Sequence, residues 1–120
     1  MAPDADDPLA EQLRQLRREY LADSLKRVAE LRGLQAALAA DPRAALVQLR
    51  QAFHRLAGSG GSYGFPAVSA RSRDGEALTQ RLQSAGSELT PKDLAAIGEC
   101  IRDIDGAFAQ ARASLESESM

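Results

Sequence analysis

The residues TPKDLAAIGECIRDIDGAFAQARASL, positions 90–115, decide the fold class. Leu94, Ile97, Ile101, Ile104, Phe108, Ala111 and Leu115 recur at intervals of three and four, the period of a helix that buries one face. Thr90 supplies a capping hydroxyl and Pro91 a first-turn proline. Asp93 stands in the capping-box position, with a shorter side chain than the usual glutamate. A helix of this length with a single apolar stripe needs other helices or a sheet to cover it.

The rest of the chain supplies helices. Alanine and leucine account for 23 and 16 of the 120 residues, valine and isoleucine together for six, so helix formers dominate and strand formers are scarce. Upstream, Asp7-Pro8 reads as a cap followed by a first-turn proline. Leu9, Leu13, Leu16 and Tyr20, then Leu21, Leu25, Val28 and Leu31, continue the helical rhythm through Gly33 to about Ala40. This stretch is one long helix or two in series, and we read it as running through Gly33. Asp41-Pro42 repeats the start signal ahead of Leu46, Leu49, Phe53 and Leu56, and Gly64 before Phe65-Pro66 stops that second helix. A third helix, from Pro66 to about Ser84, is the least regular, because Ser72 and Gly75 stand where its stripe calls for apolar residues. The expectation is an all-α, antiparallel four-helix bundle with an extended N-terminal helix. Residues 8–116 form its single domain, between a disordered tail at 1–7 and a frayed end at 117–120.

Charge and composition exclude several functions. Fifteen basic residues are dispersed among seventeen acidic ones, which leaves no basic footprint for nucleic acid. No apolar run reaches the length of a membrane span and the start is acidic, so a cytoplasmic protein is expected, without membrane association. Cys100 has no partner cysteine and reads as a small buried thiol.

The chemistry-bearing stretch is AFHRLAGSGGSYGF, positions 52–65, which holds the one histidine of the chain. At 100° per residue His54 lies roughly 130° from the centre of the apolar arc, so its ring faces water. Its helix-surface neighbours are Arg50, Gln51, Ala57 and Gly58, with Gly61 a turn further on. Glycines in a helix interior cost about 1 kcal/mol each against alanine, and something must offset that. By position, Gly60 falls on the packing face, while Gly58 and Gly61 lie beside His54 and leave room for a partner. The stretch does not fit a phosphate-cradling loop, because it lacks the lysine and hydroxyl of that motif and follows a helix. Gly60-Gly61-Ser62-Tyr63-Gly64 has the spacing of a serine-hydrolase elbow but neither the strand before it nor a second histidine. A metal site is not expected, since no acid stands three or four residues from the imidazole.

His54-Arg55-Leu56-Ala57-Gly58-Ser59, followed by Gly64 and Phe65, resembles the signature of histidine-containing phosphotransfer domains, H-x-L-K-G-S and then a glycine. The resemblance spans about positions 20 to 115. It implies a four-helix bundle whose histidine accepts a phosphoryl group from a receiver-domain aspartate or hands one on. It also implies a carrier with no ATP site and no bound cofactor, with Mg²⁺ expected on the partner receiver domain. The partner implied is the receiver of a hybrid histidine kinase or a response regulator, and the chain is expected to act as a monomer. On this reading His54 is the phosphoacceptor. Arg50, Gln51 and Arg55 line the site, and Ala57, Gly58 and Gly61 form the docking floor. Ala57 stands where the family commonly has lysine, and Arg50, one turn before His54, is the candidate substitute. Arg71, Ser72 and Gly75 replace residues that are often apolar or alanine in the third helix. Two other readings stand beside this one: a degenerate adaptor that binds a kinase or receiver without transfer, and a structural helical protein that dimerises through Leu9, Leu13 and Leu16.

Overall fold

The computed structural model describes residues 7–118, and the remainder of the expected tail and frayed end lies outside them. Five helices follow one another: α1 (Pro8–Ala22), α2 (Ser24–Ala37), α3 (Pro42–Ser62), α4 (Pro66–Ala85) and α5 (Pro91–Glu118). Helices α2 to α5 pack in a ring, each against the next and α5 back against α2, so the chain runs up and down as a four-helix bundle. The start signals act as the sequence indicates. Asp7 Oδ1 accepts from Leu9 N–H at 3.0 Å and Asp41 Oδ1 from Ala44 N–H at 3.2 Å. Thr90 and Asp93 complete the reciprocal capping box at 2.9 and 3.1 Å. A side-chain cap contributes about 1 kcal/mol, enough to fix where each helix begins.

Of the two readings of the N-terminal stretch, the structure has two helices in series, divided at Asp23. Asp23 has ψ −6°, well short of the helical value, and the buried Ser24 hydroxyl donates to Leu21 C=O at 2.6 Å. A serine hydroxyl that bonds back to the preceding turn competes with the backbone ladder and bends it there. The inward face becomes Leu21, Ser24, Val28 and Leu31, and Leu25 points to solvent instead of joining the stripe. Helix α2 passes through Gly33 and ends at Ala37. Leu38, Ala39 and Ala40 close with bonds three residues back, a tighter turn than the expected helical end at Ala40. At the other end of the chain α5 continues to Glu118, past the expected domain limit of 116.

The core is built from Leu31, Leu49, Phe53, Ile97, Ile101, Ile104 and Phe108, none of which exposes any surface. Burying each contributes roughly 1.5–3 kcal/mol. Helix α1 closes the end of the bundle where α3 turns into α4. Tyr20 stacks on Tyr63 at 4.6 Å between ring centroids, its hydroxyl meets Ser59 Oγ at 2.7 Å, and the Arg17 guanidinium lies 5.0 Å above the Phe65 ring. The turn itself depends on Gly64 at φ +85°, with Phe65 N–H reaching back to Gly60 C=O at 2.7 Å. Leu9, Leu13 and Leu16 remain exposed on the first turns of α1.

The closest helix pair is α3 with α4, and small residues make it so. A methyl at Gly60 would lie 3.1 Å from Ser69 N and Val68 Cγ1, and one at Gly75 would lie 2.7 Å from the Phe53 ring. Ser72 and Gly75, which interrupt the apolar pattern of α4, are both buried in a continuous helix. Gly75 weakens the stripe in the sequence because its place in the seam is filled by the Phe53 ring of the opposing helix.

Candidate functional site

His54 projects from the middle of α3, two turns before the helix ends at Ser62. Its inward neighbour Phe53 is wholly buried, while the imidazole keeps 75% of its side-chain surface exposed. Around it Arg50, Gln51, Arg55 and, from α4, Glu76 line an open depression of about 340 Å³. The structure therefore brings together on one face the histidine and three of the neighbours expected from the sequence.

Glu76 is the residue that sequence reasoning misses. His54 Nδ1 lies 2.9 Å from Glu76 Oε2 and 3.2 Å from Oε1, and the glutamate is only 28% exposed. A carboxylate accepts hydrogen bonds, so Nδ1 carries the proton. In the neutral ring that leaves the lone pair on Nε2, which has no hydrogen-bond partner among the described residues. This acid from α4 orients the ring and fixes its tautomer, as carboxylates do for histidines at many reactive sites.

The two arginines differ. Arg55 is paired with Glu30 of α2 at 3.1 Å. Arg50 bonds the neutral Gln83 amide oxygen at 3.3 Å, and no acid among the described residues pairs with its charge. Gly58 and Gly61 are exposed, and a methyl at Gly58 would meet nothing within 4 Å; at Gly61 it would make an ordinary 3.4 Å contact with Ser69 Oγ. Ala57 corrects an expectation: it is 6% exposed, and its carbonyl accepts from the Ser69 hydroxyl at 2.7 Å. It packs in the α3–α4 seam and forms no part of an outward floor. Cys100 lies buried between α4 and α5, where loss of hydration pushes the thiol up from its ordinary value, against a smaller opposing effect from Arg71. Among the described residues no three histidine, cysteine or acidic side chains converge as a metal site would require.

The family model described as "Hpt domain" matches residues 15–113, from the middle of α1 almost to the end of α5. The chain belongs to the Hpt domain family. Hpt domains act as phosphocarrier modules in two-component signalling, where they meet receiver domains and kinases. No curated protein and no solved structure matches the chain. In this Hpt domain no helix among the described residues is long and apolar enough to cross a membrane. The match begins at residue 15, so the exposed Leu9 and Leu13 precede the part of the Hpt domain that the family shares.

Proposed function

We propose that this Hpt domain is a phosphorelay carrier in which Nε2 of His54 takes a phosphoryl group from an aspartyl phosphate of one receiver domain and returns it to another. The observation that carries the reading is the exposed ring with Nδ1 held by Glu76. In the forward step the Nε2 lone pair forms the N–P bond while the P–O bond to aspartate breaks. The bonding electron pair leaves on the aspartate carboxylate. The phosphorylated ring is then positively charged and keeps its Nδ1 proton, with the Glu76 carboxylate beside it. In the reverse step a receiver carboxylate attacks phosphorus, the N–P electrons return to Nε2, and the ring is neutral again. No proton has to enter or leave the imidazole in either direction.

Transfer of this kind depends mainly on alignment and on neutralising the phosphoryl oxygens. Arg50 is a guanidinium on this face with no acidic partner among the described residues, and it suits that task. The partner receiver is expected to bring Mg²⁺. Gly58 and Gly61 leave the surface beside the ring low, which gives a receiver loop room to reach phosphorus. Incubation with a radiolabelled phospho-receiver is expected to label the wild type and not His54→Gln, and label retained by the variant would reject the assignment.

The adaptor reading has one observation in its favour. Position 57 offers no cation and is buried, so the family's lysine contact has no counterpart there. It is the better account if His54→Gln binds the receiver with unchanged affinity and the wild type never becomes labelled.

A further inference from the structure

We infer that Gly75 is a positioning residue for the phosphoryl acceptor: its missing side chain lets α4 settle on the Phe53 ring and so holds Glu76 in reach of His54. The inference rests on the carrier reading for its functional consequence but on packing for its geometry.

Two contacts lie side by side along the α3–α4 seam. Phe53 of α3 faces Gly75 of α4, and the next residue of each helix forms the His54–Glu76 hydrogen bond. A β-carbon at position 75 would stand 2.7 Å from Cδ1 and Cε1 of Phe53 and 2.8 Å from Cγ. The ordinary van der Waals range begins near 3.4 Å. The obstructing atoms belong to the body of an aromatic ring with no exposed surface, so the ring has nowhere to turn. Relief must come from moving α4 outward, and a displacement of that size takes a 2.9 Å hydrogen bond to the edge of its range. One turn further on, the Thr79 hydroxyl is shared between the carbonyls of Gly75 and Glu76 at 2.9 and 3.1 Å, which gives both carbonyls a side-chain donor. Neither glycine of the turn region could do this work: Gly64 and Gly86 are required by positive φ, whereas Gly75 is helical and is required by what it faces.

The test compares the wild type, Gly75→Ala, Glu76→Gln and the double variant Phe53→Leu/Gly75→Ala. One readout is the ¹⁵N chemical shifts of the His54 ring, which distinguish the Nδ1–H from the Nε2–H tautomer without any phosphorylation. The second is the rate of phosphorylation by phosphoramidate, a small donor that needs no receiver docking. The wild type is expected to show the Nδ1–H tautomer. Gly75→Ala is expected to shift the ring toward a tautomer mixture and to slow phosphorylation several-fold, with native helicity. The double variant, in which the added methyl meets a smaller side chain, is expected to recover both. A folded Gly75→Ala with wild-type ring shifts would overturn the inference. If Gly75→Ala does not fold, the double variant decides: native shifts support the inference and a tautomer mixture overturns it. A wild type with the Nδ1–H signature that takes no phosphoryl group would count against the carrier reading alone.

Discussion

Glu76 Oε2 lies 2.9 Å from His54 Nδ1, a link between two helices made by residues 22 positions apart. It converts an exposed imidazole, which in water would exchange between tautomers, into one with a defined free nitrogen. Glu76→Gln keeps the length of the side chain and removes the charge. A charge-assisted hydrogen bond is about twice as strong as a neutral one, a difference of about 1 kcal/mol, so phosphorylation of His54 is expected to slow by about five- to tenfold. Single-turnover transfer from a phospho-receiver measures this, and a rate equal to that of the wild type would remove Glu76 from the mechanism.

The two arginines of the depression should separate experimentally. Arg50→Ala is expected to lower the transfer rate by about tenfold, in line with loss of one charge-assisted contact of about 1.5 kcal/mol to the phosphoryl oxygens. Arg55→Ala is expected to change it much less, because Arg55 is already engaged by Glu30. Equal effects of the two substitutions would indicate general attraction between surfaces and no specific contact from Arg50.

The glycines of α3 predict opposite responses to the same change. Gly58→Ala adds a methyl where nothing lies within 4 Å, so helix propensity is expected to raise stability by up to about 1 kcal/mol. Gly60→Ala places a methyl 3.1 Å from Ser69 N and Val68 Cγ1, and overpacking of about 1–3 kcal/mol is expected to outweigh that gain. Urea unfolding checks both signs. A larger side chain at position 58, such as leucine, is expected to leave the fold intact and block transfer, which separates access from stability.

The thiol of Cys100 predicts a pH response. Burial raises its folded-state value above the ordinary 9.0, so its protonated form stabilises the fold fully below that pH, and the contribution declines as pH rises beyond it. Alkylation at pH 8 is expected to be slow in the native protein and rapid in urea. Fast native labelling would contradict the burial.

Most of the bundle can be read from residue order, because its determinants are local. Pro8, Pro42, Pro66 and Pro91 begin four of the five helices, and the capping box at Thr90 and Asp93 forms as the spacing indicates. The exposed flank of His54 also follows from helical geometry alone. What escaped depends on pairs of distant residues. The break at Asp23 comes from a buried serine hydroxyl that no periodicity reports, and the same shift turns Leu25 outward. Gly75 looks like a defect in α4 until Phe53 is placed against it. Ala57 reads as a surface neighbour of His54 when one helix is considered alone, but the neighbouring helix covers it. Glu76 left one usable signal. His54 and Glu76 stand eleven residues before and eleven after Phe65, so folding α3 and α4 about that turn brings them opposite each other.

The most direct measurement is the site of attachment in the phosphorylated chain. Correlating ³¹P with the ring nitrogens after transfer from a phospho-receiver is expected to show one phosphohistidine, at position 54, with phosphorus on Nε2 and a proton on Nδ1. Phosphorus on Nδ1, or a phosphorylated chain in which His54 is unmodified, would contradict the account.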